Sequence, residues 1–202
     1  MPRQEAMRML REKWSGECGE RLLHEILAQR FDLTPGQRMQ VINNDALVKD
    51  LSGIVLPRRD LRDGMLLGVD MHGADCRDAH LSNVLIQYAK AQAADFEGAR
   101  FDGVFIWKSD VAAASFAGAQ LHKVTFEESR LADATFAYAS LHGVHFHSLD
   151  LSACDFDGAR FADCNFFDVR IDERYRAQLE GMGRGGCRLS RVSWAVSALD
   201  AA

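Results

Sequence analysis

Large, mostly apolar residues recur at every fifth position through the middle of this chain. The series runs Leu66, Met71, Cys76, Leu81, Ile86, Ala91, Phe96, Phe101, Ile106, Val111 and Phe116. It continues Leu121, Phe126, Leu131, Phe136, Leu141, Phe146, Leu151, Phe156, Phe161, Phe166 and Ile171. Two residues before each stands a small or aliphatic one, from Gly64, Val69 and Ala74 to Val169, with Leu149 the bulkiest. The register holds for 22 consecutive pentads without a slip. Leu51, Leu56 and Leu61 keep the phase, but Lys49 and Arg59 break the small-residue rule there. A period of five fits neither a 3.6-residue helix nor a two-residue strand, because a helix would carry the large positions round to solvent. An internal repeat of this kind decides the fold.

A longer period of 20 is written over the first. Val84, Val104, Val124 and Val144 form one column, Ala79, Ala99, Ala119, Ala139 and Ala159 a second, and Phe96, Phe116, Phe136 and Phe156 a third. Like residues recur at this spacing when each stacks on its equivalent in the next coil, about 4.8 Å away as in a β-ladder. Four pentads then make one coil. No coil closes its own core, so stacking supplies the stability and both ends need covers.

The unit Ala94-Asp95-Phe96-Glu97-Gly98, with Ala159-Arg160-Phe161 a variant of it, resembles the pentapeptide repeat family. That resemblance spans residues 51–171 and implies a mainly β fold, a right-handed quadrilateral β-solenoid of about 5–6 coils. It also implies that the large central residue and the small one before it point inward, while the other three positions face solvent.

The flanks lack the pattern and divide the chain into 1–50, 51–171 and 172–202. Residues 1–50 read as an α-helical N-terminal cap. Glu5 to Trp14 and Glu17 to Arg30 carry Met7, Leu10, Trp14, Leu22, Leu23, Ile26 and Leu27 at helical spacing, with a break at Ser15-Gly16. Thr34-Pro35 starts a short helix toward Ile42. After the rod, Asp172 is placed to cap a short helix through Leu179, and the glycine-rich stretch 181–186 reads as a joint. The apolar tail that follows, with Val192, Trp194, Val196 and Leu199, reads as a cap or a homodimer contact at the C-terminal end.

Composition narrows the function. The 202 residues are 48% apolar and carry a net charge of −5, which suits a folded domain and argues against nucleic acid as a direct partner. No apolar run approaches 18 residues, so no membrane span is expected, and the start lacks the apolar stretch of a secretory signal. Five cysteines (Cys18, Cys76, Cys154, Cys164 and Cys187) without CxxC spacing point to reduced thiols in a cytoplasmic protein. No catalytic constellation is present, so neither an enzyme nor a cofactor is expected. Asp102, His122 and His142 fall in one outward column, but a straight column makes poor tetrahedral geometry, and no metal is expected.

The outward columns speak to binding. On one face the signs alternate through Asp70, Lys90, Asp110, Arg130, Asp150 and Arg170, which holds coils in register. Another face gathers Met65, Leu67, Leu85, Tyr88, Phe105 and Trp107 on three successive coils, then turns polar with Glu127, Glu128, His145, His147, Asn165 and Asp168. An apolar patch of that kind marks an interface, either with the N-terminal helices or with another protein. Residues 62–171 hold 16 acidic and 9 basic side chains. The family resemblance therefore also implies a DNA-mimicking protector of DNA gyrase or topoisomerase IV that confers inhibitor resistance, with Asp75, Asp95, Glu97, Asp155 and Asp157 as its acidic face. The leading expectation is a non-enzymatic bacterial scaffold for a protein partner. The DNA mimic, with a type II topoisomerase as its partner, and an immunity-type partner of a toxin or effector are the alternatives.

Overall fold

The computed structural model describes residues 12, 14–17, 20–21, 50–181 and 186–196. Among the described residues thirteen short strands follow one another: β1 Met65–Leu67, β2 His80–Ser82, β3 Leu85–Gln87, β4 Arg100–Asp102, β5 Phe105–Trp107, β6 Gln120–His122, β7 Thr125–Glu127, β8 Ser140–His142, β9 His145–Leu151, β10 Arg160–Ala162, β11 Asn165–Asp172, β12 Arg188–Ser190 and β13 Ser193–Ala195. They form a parallel β-solenoid of about six turns. The odd-numbered strands and β12 line one long sheet, and β2, β4, β6, β8 and β10 line a second. Isolated parallel bridges such as Asp75↔Asp95↔Ser115↔Thr135↔Asp155 and Asp70↔Lys90↔Asp110↔Arg130 mark the other two faces. Partners across the body of the rod are 20 residues apart, as in Leu66↔Ile86 and Ile106↔Phe126.

All 22 central residues from Leu66 to Ile171 are buried, and so are the small residues two before them. Backbone pairing to the next coil satisfies the polar chain, for example Phe116 N–H to the Thr135 carbonyl at 2.7 Å. Phenylalanines form two columns: Phe96, Phe116, Phe136 and Phe156 stack at 4.9–5.3 Å, and Phe126, Phe146 and Phe166 at 5.0–5.4 Å. The columns meet edge to face across the core, as at Phe116–Phe126 with an 89° interplanar angle. Corners fall two residues after the centre, where the backbone takes the left-handed conformation, with φ of 52° at Tyr88 and 47° at Lys108. No Val, Ile or Thr occupies that position between Gly53 and Asp168, because a β-branched side chain clashes there. Arg59, where the inward rule lapses, is exposed.

The ends are covered differently. Trp14 is buried against the first coil, its indole N–H donating to the Ser52 carbonyl at 2.9 Å. The break expected at Ser15-Gly16 is present, with Gly16 at φ 76°; most of the expected N-terminal helices lie outside the described residues. At the far end, the Asp172 carboxylate accepts from the Arg174 N–H at 2.9 Å and opens a single 3-10 turn, Glu173–Tyr175. A short helix, α1 Arg176–Glu180, continues it. Two side chains here stand in for a missing coil. The Tyr175 hydroxyl accepts the Phe156 N–H at 2.9 Å, where lower coils offer a carbonyl, and Gln178 Nε2 donates to the Ala159 carbonyl at 2.8 Å, where they offer an N–H.

The C-terminal tail, expected as a cap or a dimer contact, forms an additional half-coil on the end of the rod, with β12 and β13 both parallel to β11. Leu189 pairs with Phe166 and Trp194 with Ile171, an offset of 23 instead of 20. Leu189 and Trp194 are therefore central residues of two further pentads, with Cys187 and Val192 two before them, and all four pack on the core. A slip of three residues across the intervening helix hides them from the pentad count.

Candidate docking face

The long sheet places the apolar residues expected from the sequence side by side. In-register pairing stacks Met65, Leu85 and Phe105 in one outward column and Leu67, Gln87 and Trp107 in the next. Tyr88 projects from the corner, 52% exposed, its ring 5.4 Å from that of Trp107. Met65, Leu67, Leu85, Phe105 and Trp107 are half-buried. Lys108, which the sequence reading missed, holds its ammonium 4.6 Å over the Trp107 ring and 3.5 Å from Glu128. Its place one residue after an outward tryptophan was the available signal. Further along, the same columns become Thr125, His145 and Asn165, and Glu127, His147 and Phe167. His147 lies 3.4 Å from Glu127 and 5.1 Å ring to ring from Phe167, and Arg191 covers Phe167 from 5.6 Å.

Four of the five carboxylates expected to form an acidic face are used locally, Glu97 is exposed, and the five do not form a continuous row. Asp75 is buried and takes two hydrogen bonds from Arg77, at 2.9 and 2.7 Å. This pairing holds the Arg77 guanidinium well above its ordinary pKa, and Asp95 lies 3.7 Å from the same group. Ser115 and Thr135 then interrupt the column before Asp155, and Ala117 and Ala137 separate Glu97 from Asp157. Asp155 and Asp157 meet the Tyr175 hydroxyl at 3.3 and 3.1 Å. The reason is the Asx turn: Asp75, Asp95 and Asp155, like Asp70, Asp110 and Asp150, each accept the N–H two residues on. Carboxylates just before the central residue pin the corner.

The remaining expected sites also find their places. The alternating ladder makes ion pairs at Arg130–Asp110 and Arg170–Asp150, each 3.4 Å. His122 Nδ1 lies 2.7 Å from Asp102 and its ring 5.3 Å from His142, which faces Asp163 at 3.8 Å. Among the described residues no group of three or more His, Cys, Asp or Glu side chains is disposed to hold a metal. Of the expected dimer contacts, Val192 and Trp194 pack onto the core, Arg176 lies 5.4 Å over the Trp194 ring, and Val196 is 78% exposed. Leu199 lies outside the described residues. No helix among the described residues is long and apolar enough to cross a membrane.

Eight copies of the family model for pentapeptide repeats match residues 65–104 and 114–148. No curated protein sequence matches the chain. Among solved structures it is similar to HetL, a pentapeptide repeat protein involved in heterocyst differentiation regulation from the cyanobacterium Nostoc sp. strain PCC 7120. That likeness has 19% identity, 80% coverage of each chain and a TM-score of 0.58, and it is one of fold. QnrB1, a plasmid-mediated fluoroquinolone resistance protein, matches at 17% identity over 73% of this chain and 81% of that chain, with a TM-score of 0.33. A pentapeptide repeat protein from the Arabidopsis thaliana thylakoid lumen matches at 23% identity over 55% of this chain and 74% of that chain, with a TM-score of 0.25. The matched repeats keep the register of the inward column that runs from Leu51 to Ile171, and residues 65–104 and 114–148 are pentapeptide repeats in a chain with the fold of the pentapeptide repeat proteins.

Proposed function

We propose that this protein is a non-enzymatic scaffold that binds a protein partner through the apolar half of its long sheet, at Leu67, Leu85, Tyr88, Phe105 and Trp107, with Met65 at the margin. The observation that carries this reading is Tyr88, half-exposed beside Trp107 on a flat, in-register sheet. Tyrosine and tryptophan bury large areas at small entropic cost, and they dominate binding energy at protein interfaces. Here neighbouring coils already fix their positions, so little freedom is lost on association. The polar half of the same sheet, with His145, His147 and Glu127, supplies a rim.

The DNA-mimic reading draws less support, because Asp75 is neutralised by Arg77, Asp95 and Asp155 pin turns, and Asp157 meets Tyr175, which leaves Glu97 as an exposed carboxylate with no continuous row around it. An immunity-type partner of a toxin would use the same apolar recognition and is one identity the captured protein can have. The test places a photo-crosslinking benzoylphenylalanine at Tyr88, and at Tyr138 as a control that is 77% exposed elsewhere on the rod. In lysate of the organism that encodes the chain, position 88 should capture one protein, position 138 should not, and Trp107→Asp should abolish capture at 0.5 M salt with the circular dichroism spectrum retained. Equal capture at both positions, or capture that survives Trp107→Asp, would refute this docking face.

A further inference from the structure

A pair of cysteines at the C-terminal end carries chemistry that the docking face does not use. Cys164 fills an inward small-residue position of the last full coil and is buried. Cys187 fills the equivalent position of the added half-coil and is half-buried. It follows Cys164 by 23 residues, the same offset that pairs Asn165 with Arg188 and Phe166 with Leu189. The Arg188 N–H donates to the Cys164 carbonyl at 2.8 Å, which fixes the two residues on adjacent parallel strands. The two thiols hydrogen-bond to each other, which draws the Cys164 thiol below its ordinary pKa and pushes that of Cys187 above it. The Cys164 thiol also lies 3.4 Å from the Leu141 and Ala162 carbonyls; the Cys154 thiol donates to the Leu131 carbonyl at 3.2 Å, and burial pushes it up to about 12.

Adjacent strands lie about 4.8 Å apart, inside the roughly 4.4–6.8 Å window of Cα separations that a disulfide spans. The half-coil is held from one side: β12 and β13 pair with β11, and among the described residues no strand pairs with their outer edge. Its outer edge leaves it room to adjust as a bond forms. The chain reaches it through Gly181 and a segment whose sequence includes Gly183, Gly185 and Gly186.

We propose that Cys164 and Cys187 are a redox site, and that a peroxide joins them in a disulfide that staples the C-terminal half-coil to the solenoid. One sulfur, as thiolate, attacks a peroxide oxygen; the O–O bond breaks, leaving a sulfenic acid and, after proton uptake, water. The second sulfur displaces the sulfenic hydroxyl as another water. Two thiols and one hydrogen peroxide thus give one disulfide and two waters, and a dithiol reductant reverses the change by exchange.

The full chain is treated with hydrogen peroxide, its remaining thiols are blocked, and it is digested with trypsin without reduction. The linked product should join residues 161–170 to residues 185–188, the tryptic peptides that hold Cys164 and Cys187. Oxidation should also raise the melting temperature by about 6–12 °C, through loss of freedom in the detached tail, and dithiothreitol should reverse the rise. Cys187→Ser, conservative at a half-buried position, should abolish both link and rise; Cys18→Ser should abolish neither. A link through Cys18, both cysteines free after oxidation, or the expected link without a rise in melting temperature would each overturn the proposal.

Discussion

Removing one ring from the middle of the phenylalanine column tests the fold most directly. Phe116 is fully buried, with Phe96 stacked at 5.3 Å below, Phe136 at 4.9 Å above, and Phe126 edge-on at 5.7 Å. Phe116→Ala leaves a cavity walled by those rings and by backbone tied into ladders on both sides, so the site has little room to collapse. The cost is about 3–5 kcal/mol, or a fall of about 6–20 °C in melting temperature for a chain of this size. Thermal unfolding followed by far-ultraviolet circular dichroism reads it, with Tyr138→Ala as the control. Tyr138 is 77% exposed, so that change should stay within about 0.5 kcal/mol. A drop under 2 °C for Phe116→Ala, or equal drops for the two variants, would refute the inward assignment of the central residue.

Three further outcomes are expected. Tyr175→Phe removes the acceptor of the Phe156 N–H, which should cost about 1–3 kcal/mol; an unchanged urea midpoint would refute the capping role. Ala93→Val puts a β-branched side chain at φ 55° and should destabilise by about 1–2 kcal/mol, whereas Ala93→Gly should cost nothing; equal unfolding midpoints would count against the corner geometry. Asp60 has its pKa lowered by the Arg62 hydrogen bond, and at Asp150 burial is outweighed by the bonds from Ser152 and Arg170. A lowered native pKa gives stability that is present above the unfolded value and lost on acidification. The melting temperature should thus be flat from pH 7 to 5 and fall below about pH 4; a fall that begins above pH 5 would require another group.

The repeat was legible because its signal is local and redundant: every pentad spends two of five positions on the core, and a lapse such as Arg59 is itself visible as an exposed residue. The same alternation of inward and outward positions is enough to place Leu85, Phe105 and Trp107 on one face. The roles of the carboxylates were not legible as charge counts. An aspartate looks the same in composition whether it meets solvent or accepts its own corner N–H; only its place just before the central residue distinguishes Asp95 as a turn-former.

The spacing of apolar residues determined the coil, its four faces and its inward columns, because a period of 20 leaves the chain one way to stack like on like. Tertiary structure alone decided the ends. Leu189 and Trp194 join the core only after a three-residue slip that no periodicity bridges, and Tyr175 and Gln178 supply by side chain the hydrogen bonds a further coil would have made. Such closures depend on which backbone groups the last coil leaves unpaired, and that is a property of three-dimensional position, not of sequence spacing.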